Sequence, residues 1–158
     1  MDAQTFQQEA MRYEKLLFHI SYTILRSSDD CADAVQEALL RAWKSRDSLR
    51  DITAFRSWLC RILVNTCNDM LRKRAKEDYA PLPEDLPAPK PEHDPMELRE
   101  ALDALPPQQR AMVVMHYLEG WPVKDIAETF ELPQGTVKTR LLYARRKLGQ
   151  WLSEEKEV

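Results

Sequence analysis

The residues best equipped for chemistry lie near the C-terminus, in ELPQGTVKTRLLYARRKL, residues 131–148. A Pro-Gln-Gly turn opens a helix that carries Lys138, Arg140, Arg145, Arg146 and Lys147, with Glu131 as its sole acid. Cations at that density hold phosphates, and amides or hydroxyls near a helix start, here Gln134, Thr136 and Thr139, reach base edges in a major groove. A second group lies on AFRSWLCRILVNTCNDMLRKRAK, residues 54–76. At about 100° per residue, Trp58, Arg61, Asn65, Asn68 and Arg72 fall on one stripe. An aromatic ring, two amides and two guanidiniums so aligned can stack on bases and bind phosphates. Two readings stay open here: Trp58 either stacks on a base or seals a helix–helix seam, and Arg61 either meets nucleic acid or forms a structural ion pair. The run of Arg72, Lys73, Arg74 and Lys76 exceeds what capping a helix dipole requires, and phosphate contact is the expectation.

Other chemistries find little support. The three cysteines, Cys31, Cys60 and Cys67, form no ligand motif. Cys60 and Cys67, seven apart on one helix, would stand about 10 Å apart, too far for a disulfide. Buried reduced thiols are expected. His19, His93 and His116 have no partner group in the sequence, and His116 reads as a packed or capping histidine. Without a nucleophile elbow, a Gly-rich phosphate loop or a paired base, the chain is not expected to be an enzyme. No cofactor or metal is expected either.

The elements that must position these groups are helical. Gly is scarce, at 3 of 158 residues, and no stretch sustains β-branched alternation. The formal charge of −3 hides a strong segregation. Residues 41–76 carry ten bases against three acids, residues 77–104 two bases against nine acids, and residues 122–151 six bases against three acids. The acidic zone holds YAPLPEDLPAPKPEHDP, residues 79–95, Pro-rich and too poor in apolar side chains to offset chain entropy. The expected architecture is therefore all-α: a helical domain over 1–76, a flexible acidic Pro-rich linker over 77–94, and a second small helical domain over 95–152.

In the first domain, Phe6, Met11, Leu16, Leu17, Ile20 and Ile24 recur at helical spacing across residues 5–27. The stretch SSDD, residues 27–30, then supplies an N-cap for a helix with Ala34, Val35, Ala38, Leu39, Ala42 and Trp43 inward. Asp33, Gln36, Glu37, Leu40, Arg41 and Lys44 form its other face, where an exposed Leu40 hints at a partner. A third helix after Thr53 turns Phe55, Leu59, Ile62, Leu63, Thr66 and Met70 inward. In the second domain, Asp94 and Pro95 start a helix. A further helix, with Met112, Val113, Met115, His116 and Leu118 or their neighbours on its core face, closes at Gly120. Residues 122–130 form a short helix with Val123, Ile126, Ala127 and Phe130 inward. A short helix, a tight turn and a longer basic helix read as a helix-turn-helix. Val137, Leu141, Leu142 in part, Ala144 and Leu148 would anchor its second helix.

Three segments, DDCADAVQEALLRAW, FRSWLCRILVNTCNDMLRKR and LPQGTVKTRLLYARRKL, resemble, in order, the signature segments of bacterial RNA polymerase sigma factors of the extracytoplasmic-function group. The resemblance spans nearly the whole chain. It implies that Asp33, Gln36, Glu37, Leu40 and Arg41 dock on the clamp helices of the polymerase β′ subunit. It implies that the third helix and the loop before it, RDSLRDITAF, open the −10 promoter element and capture an unstacked base. Trp58, Arg61, Asn65, Asn68, Arg72, Lys73 and Arg74 become candidates there. The C-terminal pair would read −35 DNA through Gln134, Thr136, Lys138, Thr139, Arg140, Arg145 and Arg146. Core polymerase, through the β′ clamp helices and β flap, promoter DNA and an anti-sigma factor are the partners so implied. Two departures bear on the turn: Pro122 replaces a frequent Ser cap, and Glu131 replaces a common Gly.

Two rival readings make different demands. A helix-turn-helix regulator with a ligand-sensing N-terminal domain would dimerise on a palindromic operator, and no heptad segment for this is evident. A cysteine-based sensor or enzyme would need its thiols for function. No apolar run reaches the ~18 residues that span a bilayer, and residues 1–15 lack a signal-peptide pattern, so a cytoplasmic location is expected.

Overall fold

The computed structural model describes residues 1–77 and 100–149. Among them all regular structure is helical, as expected. Residues 78–94 of the expected linker, His93 and the helix start at Asp94–Pro95 lie outside the described residues.

Helix α1, Ala3–Arg12, begins at Asp2, whose carboxylate accepts the Thr5 N–H at 2.7 Å. The amphipathic segment read as continuous is in fact interrupted at Tyr13 (φ −107°, ψ 9°), and α2 runs from Glu14 to Leu25. The break shifts the angular register between the two pieces. Ala10 is consequently buried, whereas Met11, placed inward by the periodicity, is 64% exposed. Helix α2 stops at Arg26, which adopts the left-handed conformation (φ 58°). Helix α3, Ser28–Lys44, is capped by Ser27, whose hydroxyl accepts the Asp30 N–H. A Ser27→Ala change should destabilise the protein by about 1 kcal/mol, as loss of such a cap commonly does. Chemical denaturation would measure it.

Two short 3₁₀ turns, Arg46–Ser48 and Ile52–Ala54, lead into α4, Phe55–Glu77. Helix α5, Pro107–Val113, starts with a proline in its first turn and continues as a π-helical turn over Val114–Leu118. The wider turn ends at Gly120 (φ 73°), where the Trp121 N–H bonds back to the Met115 carbonyl at 2.8 Å. It also re-aims the side chains. Tyr117 and Val114 are buried, while Leu118, expected on the core face, is 68% exposed. Helices α6, Val123–Phe130, and α7, Gln134–Lys147, complete the fold.

Helices α2, α3 and α4 pack on one another, α5 lies on α2 and α7, and α6 packs on both α4 and α7. The buried side chains of the N-terminal and C-terminal helices thus join in one continuous cluster. Leu17, Ile20, Leu59, Leu63, Met112 and Leu141 are all without solvent exposure.

Candidate nucleic-acid interface

Helix α7 is seated by a narrow apolar stripe. Val137, Leu141, Ala144 and Leu148 are fully buried, and the other faces remain free for charge. Pro133 (φ −60°, ψ 146°) brings the chain into the helix, leaving Gln134, Lys138 and Thr139 exposed at its start, with Thr136 and Arg140 half-buried beside them. The Thr139 hydroxyl donates to the Gly135 carbonyl at 2.9 Å. Arg146 is exposed and Arg145 half-buried one turn and more beyond Arg140. Between α6 and α7 the chain turns at Glu131, in the left-handed region (φ 55°, ψ 45°), and the Leu132 N–H returns to the Ala127 carbonyl at 3.0 Å. Ala127 is buried, as a close approach of two helices requires. His116 Nδ1 lies 2.9 Å from the Trp121 carbonyl, so this histidine packs and caps.

On α4 the stripe divides. Trp58 is only 7% exposed, its ring centroid 5.6 Å from that of Phe55, and its indole N–H donates to the Ser48 hydroxyl at 3.2 Å. It ties the 3₁₀ loop to the helix. Asn65, Arg72 and Lys73 are exposed, and Asn68 is half-buried. Arg74 is ion-paired to Asp30 at the start of α3, and Arg72 is 3.8 Å from Asp69. Arg61 lies 3.2 Å from Glu131 of the turn that precedes α7. In the loop before α4, Asp51 accepts the Thr53 N–H, and that bond holds its carboxyl below the usual carboxylate range. Arg50, Asp51, Trp58 and Arg61 line a recess of about 320 Å³, together with Glu128 of α6.

The outer face of α3 is open. Asp33, Gln36 and Glu37 are exposed, and Leu40 is 47% exposed. Arg41 is held between Asp69 at 2.9 Å and Glu37 at 3.2 Å, and the bond to Asp69 raises its pKa. The cysteines are free and buried, and burial pushes the Cys60 and Cys67 thiols up to about 12.

Several residues that join the two halves went unread in the sequence. Arg110 of α5 is 8% exposed and donates to the carbonyls of Thr23 and Ile24, each at 3.0 Å. Arg56 of α4 pairs with Asp125 of α6 at 2.6 Å and lies over the Trp121 ring at 4.1 Å. His19 Nδ1 stands 3.2 Å from Glu119. Their sequence spacing carries no local signal.

Among known proteins, residues 10–77 match the family described as Sigma-70 region 2, and residues 96–148 match Sigma-70, region 4. The chain is 34% identical over 154 residues to the ECF RNA polymerase sigma factor SigM of Mycobacterium tuberculosis, covering 96% of this chain and 79% of that protein. It is 32% identical to the RNA polymerase sigma factor SigV of Bacillus subtilis over 142 residues, 87% of this chain and 85% of that one. Its fold is similar to that of the sigma factor RpoE solved in complex with the anti-sigma factor NepR from Bartonella quintana. There the TM-score is 0.76 at 26% identity, covering 94% of this chain and 96% of that one. CnrH, solved with the cytosolic domain of CnrY, shares the fold at a TM-score of 0.67, 22% identity and 94% coverage of this chain.

Proposed function

Because the chain belongs to the extracytoplasmic-function group of RNA polymerase sigma factors, we propose that it binds core polymerase through the outer face of α3 and selects promoters by two contacts. Helix α7 reads −35 duplex, with Gln134 and Arg140 at the groove and Lys138, Arg145 and Arg146 on phosphates. Helix α4 and the loop before it hold the opened −10 strand, with Arg61, Asn65, Asn68, Arg72 and Lys73 along the path and Trp58 as the wall of the recess. Unstacking a base costs a few kcal/mol, which the polymerase-bound assembly must supply. The protein contributes recognition, and bond formation belongs to the polymerase.

The observation that carries this reading is the seating of α7: Val137 and Leu141 are buried, and Gln134 and Lys138 face outward from the first turns. A solvated surface helix needs no such cationic start after a tight turn. Run-off transcription with core polymerase on a promoter library tests it. Selective starts that require this chain are expected, and unselective starts would exclude the reading. Lys138→Ala should weaken −35 binding and lower the slope of log affinity against log salt by about one. A salt titration with holoenzyme measures this, and an unchanged slope would remove Lys138 from the phosphate path. We infer a soluble partnership with polymerase and DNA. Among the described residues no helix is long and apolar enough to cross a membrane.

A further inference from the structure

A second recess, of about 480 Å³, has its walls on α4, on α7 and on the start of α5. Arg72 lines it from α4 and Arg140 from α7, and among the described residues no carboxylate does. Arg140 makes no ion pair with a described residue. Arg72 has only Asp69, at 3.8 Å, and the other oxygen of that carboxylate is held by Arg41 at 2.9 Å. Two guanidiniums that share one cavity repel each other, and little beside them offsets the charge. A bound anion would offset it. The guanidinium fork fits a phosphate through two parallel hydrogen bonds, so two arginines suit a ligand with two phosphates.

The remaining walls are not those of a bare phosphate site. Leu71, Pro106 and Pro107 form an apolar side, and the prolines have no N–H to offer an anion. The amides of Asn68, Gln108 and Gln109, all half-buried, stand with them. An amide presents a donor and an acceptor together, as the edge of a nucleobase does. The Gln109 side-chain oxygen has no hydrogen-bond partner among the described residues, so no bond to it must break when the amide turns to a ligand. A cavity of this size takes a small molecule and is far too narrow for a duplex.

We propose that this recess binds a nucleoside diphosphate, with its phosphates on Arg72 and Arg140 and its base against Leu71, Pro106 and Pro107. The site needs neither DNA nor polymerase. The reading above also gives these two arginines to promoter DNA, so nucleotide and promoter would compete for them. That consequence rests on the reading, whereas the site itself does not.

Isothermal titration calorimetry of the full chain, free of polymerase and DNA, tests the site with ADP and, separately, with GDP. One nucleotide per chain is expected. Inorganic pyrophosphate and the matching nucleoside should each bind about tenfold or more weakly than the tighter nucleotide, because each keeps only part of the linked contact. Arg72→Met and Arg140→Met should each weaken that nucleotide about tenfold, since each removes one phosphate fork and keeps the aliphatic stem. Lys15→Met removes an exposed cation of α2 that does not line the recess, and should leave affinity within about twofold. Arg72 is 75% exposed, so R72M keeps the fold. Should R140M fail to fold by circular dichroism, Arg140→Lys replaces it. R140K keeps the charge without the fork and should weaken the nucleotide about threefold. Absence of binding by both ADP and GDP would overturn the site. Equal losses in K15M and the arginine variants would overturn it too, by reducing the binding to diffuse surface charge. Pyrophosphate bound as tightly as the nucleotide would overturn the assignment of a nucleoside to the apolar wall. None of these results bears on the −10 and −35 assignments, which are read with holoenzyme and promoter.

Discussion

Replacing Leu40 with Asp should lower affinity for core RNA polymerase by about thirtyfold or more, while leaving stability within about 1 kcal/mol of the parent. Leu40 is 47% exposed on α3, so its side chain contributes little to the folded monomer. Surface changes away from special features usually stay within about 0.5 kcal/mol, and Asp adds a modest helix-propensity cost. At a partner surface the balance differs. The few residues that dominate an interface are each worth about 2 kcal/mol or more, which is about thirtyfold in Kd. An aspartate there also brings an unpaired charge into a surface that must lose water. Titration of labelled variant against core enzyme reads the first effect, and denaturant unfolding reads the second. Equal affinity for both proteins would remove α3 from the docking face. A large loss of stability would mean that Leu40 belongs to the core instead.

The second large effect concerns the seat of α7. Leu141→Ala should destabilise the protein by about 2–5 kcal/mol, the range for truncating a fully buried leucine. Leu141 has no solvent exposure and lies in the stripe that holds α7 on α5 and α6. The cavity left behind would loosen the helix that presents Gln134 and Lys138, so −35 binding should weaken although no contact residue is changed. Urea unfolding followed by far-ultraviolet circular dichroism measures the loss. A change below about 1 kcal/mol would show that α7 is held by something other than this stripe.

The all-helical fold was legible because its helices are mostly amphipathic, with one partner side. Ala34, Val35, Ala38 and Ala42 of α3 are buried as their spacing demands. Legibility failed where a helix is broken or has a second partner. Met11 was misplaced because nothing in its periodicity announces the break at Tyr13. Leu118 was misplaced because a π turn takes in more residues than an α turn, so each one advances by a smaller angle and the register slips. Helix α4 buries Val64 as well as its expected face and the thiols expected to be buried, since α3 and α6 both lie along it. Periodicity in one segment cannot report a neighbour from another. Arg56 and Asp125 are 69 residues apart in the chain, and Arg110 and Ile24 are 86 apart. The charged residues of the candidate site were readable by type and spacing; their ion pairs across the two halves were not.

Glu131 holds a left-handed backbone that glycine would occupy at about 1–2 kcal/mol less strain, yet its carboxylate is the one that meets Arg61. A glutamate codon becomes a glycine codon by one base change. The position therefore sets ease of the backbone in the turn before α7 against an ion pair that ties that turn to α4.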